Sequence, residues 1–123
     1  MFCERVDEDE RGVKSFIGAM DTLNFSSDST ETQLVWKGAL EIGLVFGDEP
    51  SVIELEMVQL EVSNGDRQQG LKQSIDSSEF PGMFAASLTL EITMGFERVG
   101  VYWYEFFLDG ELKSRVPLTV RAV

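Results

Sequence analysis

Apolar residues recur with a period of two along most of the chain, the spacing of β-strands with one face turned inward. Between Gln33 and Phe46 the even positions Leu34, Trp36, Leu40, Ile42, Leu44 and Phe46 are apolar, with Gly38 as the gap. The odd positions include Lys37, Glu41 and Gly43. Phe84–Met94 repeats the pattern, with Phe84, Ala86, Leu88, Leu90, Ile92 and Met94 on one side and a Thr-rich set on the other. Leu112–Ala122 does so again, placing Leu112, Val116, Leu118, Val120 and Ala122 inward.

Val52–Val62 changes phase. Ile53, Leu55 and Met57 alternate, then Val58, Leu60 and Val62 take the opposite parity. A slip of this kind predicts a β-bulge near Met57–Val58. Ser63-Asn64-Gly65-Asp66 supplies a tight turn, and Arg67–Ile75 follows as a weak, polar edge strand. Short strands are expected at Phe2–Val6 and Val13–Leu23, before the polar loop Asn24–Glu31 and a further break at Ser78–Gly82. Seven to eight short strands with regular turn signals predict a single all-β domain over residues 1–123, an antiparallel β-sandwich with Greek-key connections.

The last two strands surround Asp109-Gly110. A two-residue turn sets Leu108 opposite Glu111 and Trp103 beside Val116. A three-residue turn including Glu111 sets Leu108 opposite Leu112, Tyr104 opposite Val116, Tyr102 opposite Leu118 and Glu105 opposite Arg115. The second register matches apolar with apolar and opposite charges with each other, and is the expected one. It makes Tyr102, Tyr104, Phe106 and Leu108 core residues. It leaves Val101, Trp103 and Phe107 on the outer face, near Lys113 and Pro117. Aromatic residues outside a core mark partner-binding patches; cover by the Asn24–Glu31 loop is the alternative.

Arg11–Asp21 resembles an N-terminal signature of the type G-K-x-S-x-x-G-x-F. Gly100–Phe106, with Asp109-Gly110 and Pro117-Leu118, resembles a C-terminal signature G-x-Y-x-F … D-G … P-L-x-V. Val58–Gly65 is similar to a central strand and turn of the same set. Together these stretches resemble a family of small bacterial domains of unknown function with an immunoglobulin-like or C2-like β-sandwich. Val13-Lys14 departs from the usual Lys-then-apolar pair. The resemblance implies a fold and carries no catalytic residue.

Charge and chemistry narrow the function. With 10 Lys+Arg against 22 Asp+Glu the net charge is −12, which repels nucleic-acid phosphates and anionic lipid. The 123 residues contain no histidine and one cysteine, excluding histidine-based nucleophile systems and an intrachain disulfide. The N-terminus does not read as a signal peptide and no apolar run is long enough to span a membrane, so a cytoplasmic location is expected. The acidic turn Asp7-Glu8-Asp9-Glu10, with Asp48-Glu49 and Asp109, raises a Ca²⁺ alternative, but no EF-hand spacing is present and no metal or cofactor is expected. Cys3 shares a strand parity with Arg5, the arrangement that would activate a thiol. The other carboxylates fall on outward parity or in turns, which disfavours an enzyme or a small-molecule site. The expected function is non-catalytic: binding of a protein partner, or of a second copy, through Val101, Trp103, Phe107, Lys113 and Pro117. The alternatives are an acidic mimic that blocks a basic nucleic-acid-binding site on another protein, and a Ca²⁺-dependent binding sandwich.

Overall fold

The computed structural model describes residues 1–11, 14–25, 34–45, 51–80 and 85–122. Those residues form β1 (Phe2–Cys3), β2 (Arg5–Glu8), β3 (Lys14–Ile17), β4 (Thr22–Phe25), β5 (Leu34–Val45), β6 (Val52–Glu61), β7 (Arg67–Asp76), β8 (Ala85–Phe96), β9 (Gly100–Leu108) and β10 (Glu111–Ala122), with one 3-10 turn at Ser77–Glu79. The fold is all-β. A three-stranded sheet has the order β1-β5-β8, a curled five-stranded sheet the order β4-β10-β9-β6-β7, and β2 and β3 form a separate hairpin.

Ten strands replace the expected seven to eight because the N-terminal segments break into shorter pieces. Val13–Leu23 divides at Gly18, whose φ of 69° suits glycine best. The piece beyond it, β4, lies parallel to β10, pairing Thr22 with Thr119 and Phe25 with Ala122. The architecture is therefore not purely antiparallel.

The inward faces of the two larger sheets share one core. Phe2, Leu40, Leu44, Ile92, Met94 and Phe96 come from one sheet, and Leu55, Met57, Ile75, Tyr102, Tyr104, Phe106, Leu118 and Val120 from the other. Phe2 meets the Tyr104 ring edge-on at 5.0 Å, and Phe96 meets Tyr102 in the same way. Gly38, the gap in the apolar row of β5, is where the Trp36 ring lies down. A β-carbon there would strike that ring and stand 2.7 Å from the Cys3 carbonyl.

Turn chemistry and apolar register both prevail in the β9–β10 hairpin. Asp109 and Gly110 have φ of 50° and 82°, and Leu108 pairs with Glu111, so the turn has two residues rather than the expected three. The ladder then shifts between Leu112 and Ser114, leaving Lys113 as the extra residue. Beyond it Arg115 pairs with Glu105, Val116 with Tyr104, Pro117 with Trp103 and Leu118 with Tyr102, as the three-residue reading required. The bulge absorbs one residue and keeps Tyr102 and Tyr104 buried. Leu112, expected inward opposite Leu108, instead pairs with Phe107 and is exposed.

The irregularity expected near Met57–Val58 also exists, with its extra residue on the neighbouring strand. Met57 pairs with Leu71 and Val58 with Gln69, so Gly70 of β7 is the unpaired one. β6 itself runs in step with β9 from Leu55 to Glu61. Its phase never changes: Gln59 and Glu61 continue the inward row, and Val58 and Leu60 face out. Arg67–Asp76 lies at the sheet edge, as its polarity suggests.

Candidate interaction face

The outer face of the five-stranded sheet is built in cross-strand rows. Arg67, Leu60, Trp103 and Pro117 form one row, Gln69, Val58, Glu105 and Arg115 the next, and Lys72, Glu56, Phe107 and Leu112 a third. At one end Val62 donates to the Val101 carbonyl at 3.1 Å, and Val101 pairs with Thr119. Val58, Leu60, Trp103, Phe107, Val101, Leu112 and Pro117 therefore form an apolar strip, interrupted between the Trp103 row and the Phe107 row by Glu105 and Arg115. Val58, Leu60, Trp103 and Phe107 are half-buried, while Val101, Leu112 and Pro117 are exposed. Those seven side chains are not part of the shared core, and among the described residues no element covers them.

Glu105 crosses this strip. The residue is only 4% exposed although it sits on the outer face. Arg67 Nε approaches it at 3.0 Å and Arg115 Nε at 3.9 Å. The Arg115 guanidinium also lies 4.4 Å from the centre of the Trp103 ring, a cation–π contact. A buried carboxylate is tolerated when charged donors satisfy it. The two arginines supply those charges, and Arg115 also stacks on the Trp103 ring.

Of the sequence-predicted site residues, the sheet brings together Val101, Trp103, Phe107 and Pro117. Lys113 is separated from them: it borders a pocket of about 220 Å³ on the other side of the sheet with Met1, Leu44 and Phe106, and its Nζ pairs with Glu111 at 3.3 Å. Sequence reasoning missed Val58, Leu60 and Leu112. The signal for Val58 and Leu60 was present, because a strand apolar on both parities has two faces to cover. The loop proposed as an alternative cover lies largely outside the described residues, at 26–33.

Other candidate chemistry resolves into structure. Cys3 is fully buried, its Sγ donates to the Ala39 carbonyl at 3.7 Å, and burial pushes the thiol up. Arg5, its expected activator, pairs with Asp7 at 3.4 Å. Asp9 of the acidic turn binds Arg11, and Asp48 and Glu49 lie outside the described residues. Among the described residues no group of three or more acidic, Cys or His side chains is placed to hold a metal ion.

Outward parity did not mean exposure for Glu41. It is 8% exposed, beneath Lys14 of the β2–β3 hairpin, whose Nζ lies 2.9 Å away, and it accepts from Ser87 and Thr89. Burial alone would raise its pKa, but those hydrogen bonds and the Lys14 charge outweigh it and hold the carboxyl below its ordinary range. Glu61 is buried on the inward side, bound by Arg98 Nε at 2.6 Å and by Ser63 and Asn64 of the following turn.

Compared with known proteins, the chain matches no family model, no curated protein and no solved structure. The resemblance noted in the sequence rests on the residues quoted for it.

Proposed function

We propose that the chain is a non-catalytic interaction module that binds a protein through the outer face of β6, β9 and β10, centred on Trp103 and Phe107. The observation that carries this reading is the apolar strip on one sheet face, with Arg115 stacked on its central tryptophan. An aromatic residue with restricted rotamers loses little entropy on binding, which suits it to anchor an interface. Charge on this face also differs from the rest of the chain. Arg67, Lys72, Arg115 and Arg121 stand there against Glu54, Glu56, Asp76 and Glu105, an even balance, while the whole molecule carries −12. The face therefore opposes another protein with less like-charge repulsion than the net charge alone would give.

We read the fold as an immunoglobulin-like sandwich. Strands β10-β9-β6 follow the G-F-C order of that architecture, and β1-β5-β8 an A-B-E order. Tyr102, near the start of β9, donates its hydroxyl to the Arg98 carbonyl at 2.6 Å, the geometry of a tyrosine corner.

Capture from native lysate tests the binding reading. The unaltered protein should retain a partner at high salt, because apolar contact resists screening. Trp103→Ala should lose it while melting within a few degrees of the parent. Equal capture by both proteins would overturn the assignment of the face, and capture abolished by salt alone would favour acidic mimicry.

A further inference from the structure

β8 is the last strand of its sheet. It pairs with β5 along its whole length, and among the described residues no strand pairs its other side. Which backbone groups face that side follows from the ladder. The Glu41 N–H donates to the Met1 carbonyl at 2.9 Å, so odd-numbered residues of β5 turn toward β1 and even-numbered ones toward β8. Leu40 and Ile42 pair with Leu90 and Leu88, so the odd-numbered residues of β8 turn their N–H and C=O groups to the free edge. Side chains close this set at both ends. The Ser87 carbonyl accepts from Lys14 Nζ at 3.1 Å, and the Gly95 carbonyl from Gln59 Nε2 at 3.4 Å. Between them, the backbone groups of Thr89, Glu91 and Thr93 on that side have no partner among the described residues, and their side chains are exposed.

Among the described residues the other edges are guarded or short. β7 is polar and bulged at Gly70, β2, β3 and β4 have four residues each and β1 has two. β8 has 12 residues, no register shift, no proline and one charged side chain, Glu91. An unguarded edge of this kind is a template for strand addition. On either side of it lies a depression. The inner one, about 300 Å³, is lined by Met57, Gln69, Ile92 and Tyr104 among others. The outer one, about 560 Å³, is lined by residues including Glu4, Arg5, Lys37, Thr89 and Thr93. Glu91 borders both.

We propose that the free edge of β8, from Thr89 to Thr93, binds an extended peptide of a partner protein as an added strand. Its side chains alternate between the two faces. Those over the inner depression are uncharged, to lie on Met57 and Ile92 beside the amides of Gln59, Gln68 and Gln69. Those on the outer side are basic. The outer depression itself holds both signs, so the preference comes from Glu91 at the centre of the edge and from the chain's net charge of −12. The added strand would complete a four-stranded sheet of the A-B-E-D kind, and it leaves the Trp103 face free.

The probe is a short synthetic peptide alternating lysine with leucine, followed by calorimetry and by amide hydrogen exchange. Saturable binding is expected, with slowed exchange at Thr89, Glu91 and Thr93. The same peptide N-methylated on alternate backbone nitrogens loses its ladder donors and should bind about tenfold more weakly or worse. Glu91→Pro removes one edge N–H that the fold does not use, and Glu91→Lys reverses the central charge; both should weaken binding, and Trp103→Ala should not. The peptide arm stands even where the proline variant fails to fold. Equal binding by the N-methylated peptide, or protection on β4 or β7 instead, would overturn the proposal. So would protection of β8 that rises with protein concentration without peptide, which would identify a second copy as the occupant.

Discussion

Leu108 pairs with Glu111, the pair next to the turn of the last hairpin, and by itself that pairing would send Trp103 toward the core. Lys113 reverses the consequence. As the unpaired residue of a bulge, it returns the ladder to the register in which Trp103 meets Pro117 and Tyr104 meets Val116. Deleting Lys113 should therefore leave a regular ladder with the same partners and the same faces. The expected change in unfolding free energy is within about 1 kcal/mol, the scale of local ladder changes. Chemical denaturation checks it; a deletion variant that no longer folds would contradict the bulge account.

Gly38 faces a harder constraint. A methyl group there meets the Trp36 ring and the Cys3 carbonyl together, and the carbonyl belongs to backbone that cannot rotate away. Gly38→Ala should cost roughly 1–3 kcal/mol by overpacking. Denaturation followed by tryptophan emission reads both the loss of stability and the displacement of Trp36.

Much of this fold is legible in the sequence, and the exceptions share a physical cause. Period-two patterns mark β5, β8 and β10, the Asp109-Gly110 turn and its pairing mark β9, and polarity marks β7 as an edge. Parity could not foresee Glu41 or Glu105, because both lie on outward faces and are buried by side chains from distant segments, Lys14 in one case and Arg67 in the other. The parallel pairing of β4 with β10 joins segments nearly a whole chain apart and leaves no local signature. Val58 and Leu60 misled in the opposite direction. Their parity suggests a core row after a slip, whereas they lie on the outer face of the five-stranded sheet and Gln59 and Glu61 hold the inward positions.

Glu41 gives the fold a definite acid dependence. Its carboxyl is held below its ordinary range in the folded chain. A group with a depressed folded pKa contributes stability that is present above its unfolded pKa and is lost as pH falls through the folded value. The loss should begin near the ordinary glutamate range, about pH 4, and deepen below it. Glu41→Gln should cost on the order of 3 kcal/mol at neutral pH, since it leaves the Lys14 ammonium without its counter-charge. It should also flatten the acid limb of the stability profile. Urea unfolding across pH measures both, and an unchanged acid limb would contradict the role given to Glu41.

Arg115 serves Glu105 and Trp103 at once. Arg115→Ala should cost about 1 kcal/mol, because Arg67 still holds the carboxylate and Arg115 is itself partly exposed. A double-mutant cycle with Trp103→Ala should give a coupling of about 0.5–1 kcal/mol. Strictly additive effects would mean that Arg115 does not hold the ring.

Site-specific photocrosslinking tests the interaction face most directly. A photoreactive phenylalanine analogue replaces Leu112 or Leu60 on the outer face, or Val45 on the opposite sheet, exposed and outside both depressions beside β8, as the control. In native lysate, positions 112 and 60 should crosslink to the same partner, and position 45 should not. Crosslinks of equal yield at position 45, or none from the outer face, would contradict the account.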